Sequence, residues 1–264
     1  MLTKSLTLGV ALGLAAPALA GSETIAADDA ASQVATYASI TEATDDTIVT
    51  IKYILRTEGG FGGESMEFEL ECAGLMIAED GLILCSHTML EGGGGGRSAP
   101  SNIEILFGDA AEGVEAEVIA KDTELDLTWL RITEPAEEGY AFVDFEDAGD
   151  TDPGTPIFAV RRGADFFGRT LAVEQGVISA VATEPRELAI TNNNFLILPG
   201  TPVFDSKARL VGINILQQPT AEEMTPASRI ALQVMGSTIL PADKIRGATK
   251  RALAVEAMDN EEDE

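Results

Sequence analysis

Residues Ala73–Leu90 read A-G-L-M-I-A-E-D-G-L-I-L-C-S-H-T-M-L. Two apolar runs, Gly74–Ala78 and Leu82–Ser86, flank the turn signal Ala78-Glu79-Asp80-Gly81, so the stretch predicts a β-hairpin. Outward from it, further β-rich runs separated by turns occupy Ile48–Leu55, Glu67–Cys72, Ile103–Phe107, Glu115–Ala120 and Leu127–Ile132. An acidic, turn-rich linker at about 134–153 precedes a second series: Pro156–Val160, Thr170–Val173, Gly176–Val181, Glu187–Thr191, Val203–Asp205, Leu210–Leu216 and Ile230–Met235. Short strands at this spacing point to an all-β antiparallel barrel or sandwich architecture. A helix is predicted to start at Pro241-Ala242-Asp243-Lys244 and run to about Met258, ahead of a charged tail, Asp259–Glu264.

With 264 residues, 45% of them hydrophobic, the chain is long enough to bury a sizeable core. Its formal charge of −27 opposes binding to nucleic acid or to anionic membranes. Such acidity serves solubility and attracts basic peptides or cations. Residues 1–20 combine Lys4, an apolar stretch from Leu6 to Ala16 and the small-x-small end Ala18-Leu19-Ala20, the pattern of a secretory signal peptide. That stretch is too short to span a bilayer, so the expected product is exported, periplasmic or secreted, without membrane insertion. Residues 21–46, rich in Ala, Thr, Ser and Asp, predict a flexible or loosely helical leader. The five glycines Gly92–Gly96 predict a flexible surface loop, and no Lys-Ser/Thr pattern follows to make it a phosphate loop. Export permits a disulfide, and the only cysteines, Cys72 and Cys85, fall on facing strands of the predicted hairpin, so a bridge between them is expected.

Four separated motifs resemble trypsin-like serine proteases of the HtrA/Deg type. Ala73–Leu90 is similar to the family's G-S-G-F-I-I-x-x-D-G-Y-I-L-T-N-x-H-V-V, and the match carries His87, the only histidine, onto the catalytic histidine. Glu115–Ile132, E-A-E-V-I-A-K-D-T-E-L-D-L-T-W-L-R-I, resembles A-x-V-x-x-x-D-x-x-x-D-L-A-V-L-K-I and places Asp126 at the catalytic aspartate. Glu174–Ala180 contains a G-V-I-S-A similar to the family's G-I-V-S-A strand. Ile197–Asn214, I-L-P-G-T-P-V-F-D-S-K-A-R-L-V-G-I-N, is set against G-D/N-S-G-G-P-V-F-D-S-K-G-R-L-V-G-I-N, with Pro199 at the nucleophile serine and Ile197 at the first glycine. The resemblance covers residues 47–245 and implies two packed six-stranded antiparallel β-barrels with a C-terminal helix and tail over 246–264. No PDZ-like domain is expected to follow.

Proline supplies no hydroxyl and no N–H, so the resemblance implies a protease scaffold without a nucleophile or its share of the oxyanion hole. His87 and Asp126 are then expected as a buried hydrogen-bonded relic pair. Thr201, the nearest hydroxyl to Pro199, and Ser206, in the D-S-K turn, read as structural, and Trp129 reads as core. One histidine gives too few ligands for zinc, and no metal or cofactor is expected. The function expected is that of an inactive homologue that binds a protein or extended peptide or regulates a protease. The alternatives are a divergent serine endopeptidase with an atypical nucleophile and a structural envelope protein.

Overall fold

The computed structural model of the chain describes residues 20–57, 65–92, 99–192, 198–217 and 237–262. Residues 1–19 of the signal segment, the glycines 93–96, Ile197, the expected strand Ile230–Met235 and the last two tail residues lie outside the described residues. The leader is helical, as α1 (Ala20–Thr44). Its residues up to Ala35 form a unit of their own, and Thr36–Glu264 form the other.

In the larger unit, β1 (Ile48–Thr57), β2 (Met66–Met76), β3 (Leu82–Ser86), β4 (Ser101–Phe107), β5 (Val114–Asp122) and β6 (Leu127–Ile132) close a barrel in the order β1-β2-β3-β6-β5-β4. A second closed barrel orders β7 (Pro156–Arg162), β8 (Leu171–Ala182), β9 (Leu188–Thr191), β10 (Pro202–Phe204), β11 (Leu210–Ile215) and β12 (Thr238–Pro241) as β10-β11-β12-β9-β8-β7. All pairings are antiparallel, and closure removes the sheet edges that invite association.

Side-chain alternation sorts each strand between two cores. Val49, Ile51, Tyr53, Ile83 and Cys85 fill the first barrel, while Ile48, Leu82, Leu84, Leu127 and Trp129 face the layer shared with Phe158, Phe204 and Leu240 of the second. Covered on both faces, β3 is buried at every residue, which is why it reads as an unbroken apolar run. Helix α3 (Ala242–Glu262) adds Ile245 and Ala248 to the shared layer. The Trp129 indole N–H donates to Thr249 on this helix at 3.0 Å.

Two expected breaks are absent. Glu67–Cys72 and Gly74–Ala78 are one strand, because Gly74 is a point of close packing: a Cβ there would stand 2.8 Å from Ile51 Cδ1 and 2.9 Å from Val49 Cγ2. Gly176 likewise lies inside continuous β8, opposite Ile157. The expected Cys72–Cys85 bridge is not formed, and both cysteines are free and buried. The register explains this: Cys85 stands opposite Gly74, which leaves Cys72 diagonal to it.

Candidate functional site

The hairpin end of β3 runs directly into a single helical turn, α2 (His87–Leu90). Ser86 caps it, its hydroxyl oxygen accepting from Met89 N–H at 3.2 Å and donating to Asp126 Oδ2 at 2.9 Å. Asp126 precedes β6 in a left-handed conformation (φ 57°) and is 3% exposed. Its Oδ1 accepts the Thr88 N–H at 2.7 Å, and its Oδ2 also accepts the Leu216 N–H, from the end of β11, at 3.0 Å. Asp126 thereby joins the first barrel to the second, its carboxylate accepting three donors from two chain segments, Ser86 and Thr88 in one and Leu216 in the other.

The expected imidazole–carboxylate pair is not formed. His87 Nδ1 lies 3.4 Å from Thr128 Oγ1, and its Nε2 lies 3.4 Å from Glu91, whose carboxylate also meets Lys121 at 3.6 Å. Pairing of Cys85 with Thr128 and Ser86 with Leu127 fixes this outcome. It aims the Ser86 hydroxyl and the Thr88 amide at Asp126 and turns the His87 ring away. Read without a gap from Asp80-Gly81, the motif's histidine falls on Thr88, one residue past His87. Ser86 and Thr88 are the site residues that sequence reasoning missed, and that ungapped count is the signal for them.

At the stretch that the resemblance aligns with the nucleophile, Leu198-Pro199-Gly200-Thr201 forms a β-turn closed by Thr201 N–H to Leu198 O at 3.0 Å. Proline second and a glycine at φ +87° third are what a type II turn requires. The Gly200 N–H donates to Asn214 O at 2.7 Å, so both N–H groups after Pro199 are committed within the protein. Gly200 also abuts α2, since a Cβ on it would stand 3.0 Å from Ser86 N. Thr201 is 1% exposed, and its hydroxyl is buried without a partner among the described residues. Ser206 sits in the turn organised by Asp205, whose Oδ1 accepts the Lys207 and Arg209 N–H groups at 2.8 and 3.0 Å.

A pocket of about 260 Å³ opens beside Pro199, between Val49, Cys72 and Ala73 of the first barrel and Arg161 of the second. Met89 reaches its wall and His87 does not. Behind it lies a buried polar cluster in the first barrel. A hydrogen bond with Cys72, burial and nearby negative charge push the Cys85 thiol well up. Burial, reinforced by the two cysteines, also raises the Tyr53 phenol, which donates to Met89 O.

Two six-stranded antiparallel barrels with a carboxylate, an α2 turn and a P-G turn meeting between them define the class of the chymotrypsin-type fold. A model of the trypsin-like peptidase domain matches residues 72–213, more than half of the chain, and the chain belongs to that family. No curated protein matches the chain.

Proposed function

We propose that this protein is an exported, non-hydrolytic member of the trypsin-like family, of HtrA/Deg type, that holds extended polypeptide or regulates an active protease. The observation that carries the reading is the Leu198–Thr201 turn. Pro199 has neither a hydroxyl nor an N–H, and the next two N–H groups are spent on Leu198 O and Asn214 O. A tetrahedral intermediate needs an attacking oxygen and donors aimed at the oxyanion, and Pro199 supplies no oxygen and removes the N–H that the nucleophile residue gives to that pair of donors. The orientation of His87 toward Glu91 and Thr128 supports the same reading, because a general base must lie within hydrogen-bond reach of the group it deprotonates. Export rests on the signal-like residues 1–20.

The test is labelling of purified protein by a fluorophosphonate probe, run with casein turnover beside an active trypsin-like control. The expected result is no labelling and no turnover above the heat-denatured blank. Labelling that disappears on Thr201→Val would instead identify an atypical hydroxyl nucleophile and overturn the reading.

A further inference from the structure

We propose that the tip of the β7–β8 hairpin is a docking knob for a basic polypeptide that buries two outward-facing phenylalanines. The tip inverts the usual patterning of a surface turn. Phe166 and Phe167, on the 3₁₀ turn Asp165–Phe167, are 79% and 65% exposed, with ring centroids 4.1 Å apart. Arg169, two residues on, is 6% exposed. Its guanidinium meets Glu71 at 2.7 Å, Asp165 at 3.0 Å and the Ala110 carbonyl at 3.3 Å. Arg162 is also turned inward, donating to Ile48 O at 2.7 Å and Arg169 O at 3.3 Å. Cations therefore point into the protein while aromatic rings point out, against the free-energy preference of both groups.

This arrangement is built rather than loose. Gly168 and Arg169 are consecutive left-handed residues at φ 63° and 46°, and Arg169 keeps a conformation unfavourable to a side chain because its guanidinium is tied at three points. Two large rings held on a rigid base lose little freedom when a partner covers them, which is the property of a binding anchor.

Charge selects the partner. Asp109 and Glu112, on the turn whose Ala110 carbonyl Arg169 grips, are exposed, while Asp165 beside the rings is already held by Arg169. The cations nearest them are consumed in internal pairs, and the whole chain carries −27. A second copy brings the same acidic surface and is repelled, whereas a segment with apolar side chains interleaved with Lys or Arg satisfies both the rings and the carboxylates. The proposal concerns a surface apart from Pro199 and stands whether or not the cleft hydrolyses peptides.

The experiment uses fluorescence anisotropy on the full chain at about 150 mM salt, where long-range attraction is screened. The probes are labelled octapeptides of alternating Lys and Leu, Lys and Ser, or Glu and Leu. The expected result is that the Lys/Leu peptide binds at least about tenfold tighter than either of the others. The double variant Phe166→Ser/Phe167→Ser should lose that advantage while its thermal midpoint stays within about 2 °C, as for exposed positions. Asp109→Asn/Glu112→Gln should weaken binding of the same peptide. Equal binding of the Lys/Ser peptide would reduce the effect to bulk charge and overturn the proposal, as would unchanged affinity in the phenylalanine variant. Co-sedimentation of the wild type, and not the variant, with neutral phosphatidylcholine vesicles would assign the knob to lipid and also overturn it.

Discussion

A buried carboxylate stabilises a fold only when its oxygens are occupied, and Asp126 receives the Ser86 hydroxyl and the Thr88 and Leu216 N–H groups. Removing it strands three donors in the layer between the barrels. Asp126→Ala is expected to cost about 2–4 kcal/mol, read from denaturant midpoints, water entry recovering part of the loss. His87→Ala removes two long contacts at 3.4 Å, to Thr128 and to Glu91, and is expected to cost under about 1 kcal/mol. Equal costs would mean that the imidazole carries structure that its neighbours do not reveal. Asp126 was legible in the sequence through the resemblance of Glu115–Ile132 to the family's aspartate motif. The His87 ring was not, because its direction depends on a one-residue register that composition leaves open. A second consequence concerns pH. The Tyr53 phenol and Cys85 thiol are both raised by their surroundings, so the folded state resists their ionisation. The stability they contribute is complete below their ordinary values and is lost progressively as pH climbs above them, from about 9 upward. Urea midpoints should fall over that range, and Tyr53→Phe should flatten the fall. An unchanged alkaline slope in that variant would assign the loss elsewhere.

Among the elements, strands such as Leu82–Ser86 and Leu127–Ile132 were readable to the residue, because apolar runs bounded by turn residues leave one solution. Glycine misled at Gly74 and Gly176, which lie inside continuous strands: at Gly74 close side-chain packing against Val49 and Ile51, not chain reversal, excludes a Cβ, and Gly176 pairs with Ile157 in the ladder. Strand β12 was not legible, since only four residues, Thr238–Pro241, complete the second barrel, and their pairing comes from partners distant in sequence. The Leu198–Thr201 turn shows how an element determines chemistry. Its proline and left-handed glycine set a closed turn, and a serine placed there regains a hydroxyl and one N–H but finds Thr88, which is no base, beside Asp126 and Ile197 at the family's first glycine. Pro199→Ser alone should therefore remain unlabelled by a fluorophosphonate. Restoring Ile197→Gly, Pro199→Ser and Thr201→Gly should also fail, because Thr88 supplies no base beside Asp126. Adding Thr88→His to those three should produce labelling. Labelling of the triple variant without it would mean that His87 swings from Glu91 to act as base.

For the molecule as a whole, the two barrels share one hydrophobic layer, and α3 seals it. Ala242, Ile245, Ala248 and Ala252 of the helix are buried there, Thr249 accepts the Trp129 N–H, and Arg131 pairs with Glu256 at 3.1 Å. Removing residues 242–264 uncovers that face and leaves the indole N–H without its acceptor. The apolar loss alone is on the order of 4 kcal/mol, a large share of the stability of an ordinary domain. Trp129 is the only tryptophan, so its emission reports this single place. The truncated chain is expected to show red-shifted emission and a denaturant midpoint lowered in proportion, with both barrels unfolding together because Asp126 and the shared layer couple them. The milder Thr249→Val should keep the helix and the blue emission while costing about 1 kcal/mol for the lost hydrogen bond. Truncated protein with unshifted emission and an unchanged midpoint would mean that the barrels close over Trp129 by themselves, and that α3 rests on the fold without securing it.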